Sequence, residues 1–272
     1  MAAYLFVHFT GEEKDGEQVY FSVSKDGLFW EDLNGLSPVL RSRIGEKGVR
    51  DPFCVRDEKN GKFYLIATDL RIEAGKGWEK AVHEGSRDLI VWESEDLVSW
   101  SEERSVTVGV EGAGCVWAPE CVYDAKKGQF FVFWASHVKE EGDEAGKHRI
   151  FGSYTADFKT FSPAEKYLEK SCDVIDTTMI FADGFWYRFS KDETTKRICM
   201  ERAKELDGAF EEVKSPVLEA LYGVEGPEIY RLADGRFCLI ADQFAQGKGY
   251  LPLVCSDLSS GAFEILPGDA YD

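Results

Sequence analysis

The sequence predicts an all-β chain: a single five-bladed β-propeller over residues 1–272, with four antiparallel strands per blade and a first blade incomplete at its N-terminus. Three observations carry this. A string closing on an aromatic residue returns along the whole chain. Asn-Gly and Asp-Gly turns stand between apolar runs. No interior stretch keeps a 3.6-residue period for long, so helices should be few and short. Aromatic residues make up 14% of the chain, beside 26 Gly, which suits many short strands joined by tight turns.

The returning string is first Ser24-Lys25-Asp26-Gly27-Leu28-Phe29-Trp30, then Ser94-Glu95-Asp96-Leu97-Val98-Ser99-Trp100, then Thr155-Ala156-Asp157-Phe158-Lys159-Thr160-Phe161. A degenerate copy ends at Leu206-Asp207-Gly208-Ala209-Phe210, and the last runs from Ser256-Asp257-Leu258 to Phe263. Intervals of roughly 50 to 70 residues between units indicate a propeller or a solenoid. An upstream half precedes each later string. It is a short strand, a Gly turn and an aromatic strand: Phe53–Arg56 with Phe63–Ala67, Cys121–Tyr123 with Phe130–Phe133, Met179–Phe181 with Phe185–Tyr187, and Ile229–Leu232 with Phe237–Ile240. Each unit therefore reads as strands a, b, c and d of a blade. The first unit has only strand b at Tyr4–Thr10, c at Val19–Ser24 and d at Phe29–Leu33. Only Pro267–Asp272 follow the last strand d, so either a short return segment or a truncated C-terminus is expected.

Fifty acidic residues against 32 basic ones leave a net charge of −18, which excludes nucleic acid as a partner because nothing supplies a phosphate-neutralising surface. No stretch approaches 18 apolar residues, so no membrane span is expected. The N-terminus lacks a basic stretch ahead of its short apolar run, so a cytoplasmic location is expected. The seven cysteines form no CxxC pair and sit among apolar residues, as reduced core thiols would. Oligomeric state is left open.

In a propeller the start of strand a and the end of strand b meet at one mouth. The starts of strand a hold Arg50-Asp51-Pro52, Trp117-Ala118-Pro119-Glu120, Ile175-Asp176-Thr177-Thr178 and Glu225-Gly226-Pro227-Glu228. The ends of strand b hold His8-Phe9-Thr10, Thr68-Asp69, Ser136-His137, Ser190-Lys191 and Asp242-Gln243. Carboxylates thus recur at one mouth: Asp51, Glu120, Asp176 and Glu225. Clustered, desolvated carboxylates raise one another's pKa, so one can store a proton while another stays ionised. Glycoside hydrolysis needs such a pair. Phe9, Phe53, Trp117 and Trp186 are placed to stack on sugar faces. Arg50, Asp69, Glu120, Ser136, Lys191 and Gln243 join them as candidate substrate contacts, with Arg188 a further cation. The same residue types also serve structure, since Asp before Pro starts turns and strand-end carboxylates cap amides. Of two long loops, 71–88 could present Trp78 or Arg71 to a substrate, and 138–148 reads as a solvated, flexible loop. There is no HExxH and no Cys/His metal spacing among the four His (His8, His83, His137, His148).

The order RDP, WAPE, VIDT, EGPE resembles glycoside hydrolase family 43, five-bladed propellers that include arabinofuranosidases and xylosidases. The resemblance covers nearly the whole chain from about residue 50. It implies an inverting exo-glycosidase that removes terminal α-L-arabinofuranosyl or β-D-xylosyl residues from plant-derived oligosaccharides. It implies Asp51 as general base, Glu225 as general acid and Asp176 as the residue that tunes the acid. Thr177 stands where the family often has Pro, and Glu120 where Asp is common, which suggests a support position. No cofactor is required. The family often carries a calcium or sodium ion on the propeller axis, and His8 is the candidate neighbour of that spot. For an inverting pair, Asp51 and Glu225 should lie about 6.5–9.5 Å apart. Two other readings stay open: a retaining fructan- or sucrose-type propeller hydrolase, and a sugar-binding propeller without turnover.

Overall fold

The computed structural model describes residues 3–272. Five antiparallel sheets, each a meander of consecutive strands, give the five-bladed β-propeller class. The first sheet has three strands, β1 (Tyr4–His8), β2 (Tyr20–Ser24) and β3 (Trp30–Asp32), so the first blade is incomplete as expected. The second has β4 (Val49–Arg56), β5 (Phe63–Asp69), β6 (Asp88–Ser94) and β7 (Arg104–Thr107). The third has β8 (Trp117–Asp124), β9 (Gln129–Val138), β10 (Lys147–Thr155) and β11 (Glu165–Leu168). The fourth has β12 (Val174–Ala182), β13 (Phe185–Asp192), β14 (Arg197–Ala203) and β15 (Glu211–Glu212). The fifth has β16 (Glu225–Arg231), β17 (Phe237–Asp242), β18 (Tyr250–Cys255) and β19 (Glu264–Ile265).

The described α-helices are short. α1 (Trp78–His83) lies inside the 71–88 segment that the sequence leaves as a loop, and α2 (Pro216–Ala220) starts on a Ser215 cap with Pro at its first turn.

The chain divides into two compact units. One comprises residues up to Leu5, 23–31 and 170–272; the other comprises 6–22 and 32–169. Each has its own core. In the first unit Tyr187, Phe189, Phe237, Leu239 and Leu253 pack together with Phe263. In the second, Tyr64, Ile66, Val91, Val132 and Trp134 pack with Phe151 and Phe158. Cys115, Cys121, Cys238 and Cys255 are buried, Cys54, Cys172 and Cys199 are half-buried, and none of the seven is in a disulfide. The C-terminal segment does return: the Asp272 amide donates to Leu28 O and the Trp30 amide to Asp272 O.

The returning string is a turn that caps itself. Ser24 Oγ accepts the Gly27 amide at 2.8 Å while Asp26 Oδ1 accepts those of Leu28 and Phe29 at 2.9 and 3.0 Å. Ser94 and Asp96 repeat this on Leu97, Val98 and Ser99 at 2.9, 2.9 and 2.7 Å. Thr155 and Asp157 repeat it on Phe158, Lys159 and Thr160, each at 2.9 Å. The spacing follows from these bonds: a hydroxyl at one position, a carboxylate two later, and a left-handed residue at the third, which is Gly27, Leu97 or Phe158. The amides of Phe29 and Leu28 hold the Asp26 carboxyl below its ordinary value, and those of Ser99 and Val98 do the same for Asp96.

The 138–148 loop is pinned rather than free. Buried Arg149 donates to Val138 O at 2.8 Å and pairs with Asp143 at 2.7 Å and Glu169 at 3.1 Å. Sequence alone gives a solvated loop because Arg149, which ties it down, lies on the following strand.

Two outcomes test the turn. Ser94→Ala strips the Leu97 amide of its acceptor, so the urea midpoint should fall by the equivalent of about 1–3 kcal/mol with an unchanged slope. Carboxyls held low stabilise the fold above the ordinary Asp pKa and lose that stabilisation as pH falls below about 4. The double variant Asp26→Asn, Asp96→Asn should therefore lose less melting temperature on acidification than the wild type.

Candidate functional site

The first strand of each four-stranded sheet begins with the same distortion. Pairing slips between Arg50 and Phe53, Trp117 and Glu120, Ile175 and Thr177, and Glu225 and Glu228. At each slip one residue is left-handed: Asp51 (φ 48°), Ala118 (φ 46°), Asp176 (φ 47°) and Gly226 (φ 53°). These are β-bulges, which re-aim the side chains around them. The left-handed region is strained for residues other than Gly, and such strain concentrates at functional sites.

Register separates the candidate carboxylates into three positions. Asp51 and Asp176 occupy the bulge itself. Glu225 precedes it, in the place held by Arg50, Trp117 and Ile175 elsewhere. Glu120 follows it, opposite Phe133, matching Phe53, Thr178 and Glu228. The residues opposite the pre-bulge positions are Thr68, Ala135, Lys191 and Asp242. Three of the strand-end candidates thus stand one residue beyond this position: Thr68, Ala135 and Asp242 occupy it in place of Asp69, Ser136 and Gln243. The bulges cause the shift, because a strand counted from its hairpin turn gains a residue at each.

In the 6–22/32–169 unit, buried Thr68 is the hinge of the arrangement. Its hydroxyl donates to Asp51 Oδ2 at 3.3 Å and accepts the Ala118 amide at 2.9 Å. One side chain thus ties the Asp51 bulge to the bulge of β8, which packs beside β4. The Arg50 guanidinium carbon lies over two rings, 4.5 Å from the centre of Phe9 and 4.9 Å from that of Trp78, and the side chain pairs with buried Glu17 at 3.0 Å. Trp78, supplied by α1, meets Trp117 edge-on at 5.9 Å, and Trp117 stacks on His148 at 5.2 Å. His137 lies between His148 and His83, at 5.2 and 4.5 Å. Trp78 remains 45% exposed, an aromatic face open to a ligand. Arg71 is engaged by Glu73 at 2.5 Å.

Other expected contacts are turned inward. Asp69 is buried, accepts the Glu46 amide at 2.8 Å and packs against Gly45, whose φ of 55° and closeness to the carboxylate leave no room for a side chain. Burial pushes its carboxyl above the ordinary range. Ser136 is fully buried and donates to Cys115 O at 2.6 Å. His8 Nε2 bonds Ser22 Oγ at 3.0 Å, Ser22 donates to Asp32 at 2.6 Å, and His8 Nδ1 lies 3.4 Å from Phe9 O. Burial lowers the His8 pKa. With both ring nitrogens engaged inside the chain, this ring does not fit as a direct ligand of a calcium or sodium ion.

In the unit containing 170–272, Asp176 and Glu225 do come together around one cation. Asp176 Oδ2 accepts the Gly226 amide at 3.1 Å, where β12 packs beside β16. Lys191 is 2% exposed and places Nζ 2.5 Å from Glu225 Oε2 and 2.7 Å from Glu193. Burial works to lower its pKa, but Asp176 and Glu225 outweigh that and hold the ammonium above its ordinary value. The ammonium also lies 4.6 Å from the Phe244 ring centre. Asp242 stands opposite Glu225, and burial together with Glu225 pushes its carboxyl up. Gln243 is turned to its own loop, bonding Gly249 O. Arg188 is spent on Glu201 at 3.0 Å and stacks on Phe210, and Trp186 packs on Phe181 at the opposite end of β13 from Lys191. Neither joins the cluster.

The sequence matches, over residues 1–271, the family described as "Probable glycosyl hydrolase domain", Glyco_hydro_43_rel. The chain belongs to this family, a relative of glycoside hydrolase family 43. It is 28% identical to an alpha-L-arabinofuranosidase of Bifidobacterium longum subsp. longum, across 89% of this chain and 27% of that protein. The chain thus spans about a quarter of the length of that relative. Among solved structures it resembles the Bacteroides ovatus protein described as xyloglucan PUL GH43B, with a TM-score of 0.63 and 16% identity over 96% of this chain and 53% of that one. It also resembles an exo-β-1,3-galactanase from Phanerochaete chrysosporium with galactose, with a TM-score of 0.64 and 14% identity over 96% of this chain and 60% of that one. At these identities the solved structures attest the fold.

Thr68→Val keeps the shape but removes the hydroxyl, leaving the Ala118 amide without that acceptor. Unfolding free energy should fall by about 1–3 kcal/mol, read from urea melts. Thr68→Ser should restore most of it.

Proposed function

We propose that this glycoside hydrolase family 43 relative is an inverting exo-glycosidase that removes terminal α-L-arabinofuranosyl residues from plant-derived oligosaccharides. β-D-xylosyl is the alternative sugar. The single observation that carries the reading is the pair of aspartates at left-handed bulges, Asp51 and Asp176, each engaged by a fixed hydrogen bond, together with Glu225 beside the Gly226 bulge. Strained, pre-positioned carboxylates are what acid–base chemistry at a sugar needs. The curated relative's activity supports arabinofuranose as the first choice.

In this reading Asp51 takes a proton from water as the water oxygen bonds the anomeric carbon. Glu225 gives a proton to the leaving oxygen as the glycosidic bond breaks and its electron pair moves to that oxygen. Single displacement inverts the anomeric centre. Asp176 holds the Gly226 amide beside Glu225 and adds negative charge near it. Trp78 and Trp117 offer apolar faces for sugar rings.

The test is hydrolysis of an arabinofuranosyl disaccharide and a xylobiose, followed by NMR of the released anomer. Wild type should release the inverted sugar. Asp51→Asn and Glu225→Gln should each lose about 10²–10⁴-fold in kcat. An aryl arabinofuranoside, whose leaving group needs little protonation, should be far less sensitive to Glu225→Gln than to Asp51→Asn. Retention of configuration, or equal turnover in all three proteins, would overturn the assignment.

A further inference from the structure

Glu225 carries a contradiction if it acts alone. An acid must store a proton, yet the Glu225 carboxylate is in ion-pair contact with the buried Lys191 ammonium at 2.5 Å. The counterweight is Asp242. It sits directly opposite Glu225 in the β16–β17 ladder, where facing Cα atoms are about 4.5–5.5 Å apart. Asp242 is half-buried; burial and then Glu225 push its carboxyl up, while Lys191 pulls it down. Across β18 it faces the uncharged Tyr250, and Lys248 of the adjoining turn is exposed. Lys191 is itself shared among Glu225, Glu193 and the field of Asp176, and Glu193 pairs with Lys196 as well. One wholly shared ammonium thus faces two carboxyls across a strand pair. Two facing carboxylates in a partly dry site cannot both ionise freely.

We propose that Asp242 is the proton partner of Glu225: the two carboxyls titrate as one coupled pair that keeps a single proton, with Lys191 setting the pH at which it leaves. Asp242 is a positioning residue that acts through Glu225. The proton resides on the pair in the free protein, and Glu225 is the member that presents it to the leaving oxygen. This deepens the acid assignment made above and rests on it for its catalytic meaning, while the coupling itself is read without turnover.

The experiment is a carbon-13 NMR titration of the full chain labelled at Asp and Glu carboxyls, with Glu225→Gln and Asp242→Asn identifying the two signals. Wild type should show the pair titrating in two steps separated by about one pH unit or more, the upper one above the ordinary carboxylate range. Asp242→Asn should collapse this to one lower step on Glu225. Lys191→Gln should move the upper step to higher pH, and it serves as the second probe should Asp242→Asn not fold. The alkaline limb of kcat/KM on the disaccharide should follow the same shifts. Glu225 titrating in one ordinary step, unmoved by either substitution, would overturn the pair. Should the pair titrate as described while Glu225→Gln hydrolyses the disaccharide at the wild-type rate, the acid assignment fails and the pairing stands.

Discussion

Everything near the candidate site depends on one backbone constraint, the left-handed bulge where the first strand of each four-stranded sheet begins. A regular strand would send alternate side chains to opposite faces. The bulge breaks that alternation and lets neighbouring residues project together, so that Glu225 can meet Lys191 from the next sheet while Asp176 reaches the Gly226 amide. Three of the four bulge residues are not glycine, and each costs about 1–3 kcal/mol in backbone strain. Thr68 and Asp176 offset this by bonding the bulge amides of Ala118 and Gly226. The strain is thus held by hydrogen bonds between adjacent sheets rather than by packing alone.

Charge organises the unit that contains residues 170–272. A lysine with 2% exposure is affordable only with carboxylates at contact distance, and Glu193 and Glu225 supply them. Removing Lys191 would leave Glu193 and Glu225 without the cation they share. In the other unit aromatic and guanidinium faces dominate, from Phe9 and Arg50 through Trp78 and Trp117 to the histidines.

The sheets were legible because their signals are local. A hydroxyl, an aspartate and an aromatic at fixed spacing make a self-capped turn whatever surrounds them, and Gly turns between apolar runs make hairpins. Asp51, Asp176 and Glu225 stand out in the sequence for a similar reason, since each sits in a short local string, RDP, VIDT or EGPE. Thr68 and Asp242 were less so: both stand one residue before the position that counting along strand b selects. Reading them required knowing that each bulge displaces the register. Ser136 and Asp69 looked like ligand contacts because they end strands, and only tertiary packing shows that Cys115 O and the 45–46 backbone claim them. The α1 helix escaped notice because six residues are too few to establish a helical period.

The meander order of the strands bears on how the chain reaches this state. Within each sheet every strand pairs with its neighbour in sequence, so a sheet closes only short loops and needs no distant segment to complete its ladder. The pairing of Asp272 with Leu28 and Trp30 is the opposite case, since it spans nearly the whole sequence. Its loop-closure entropy is repaid only after the intervening sheets have condensed. A contact of that span is expected to close late in folding, and its opening need not disturb the hairpins on either side.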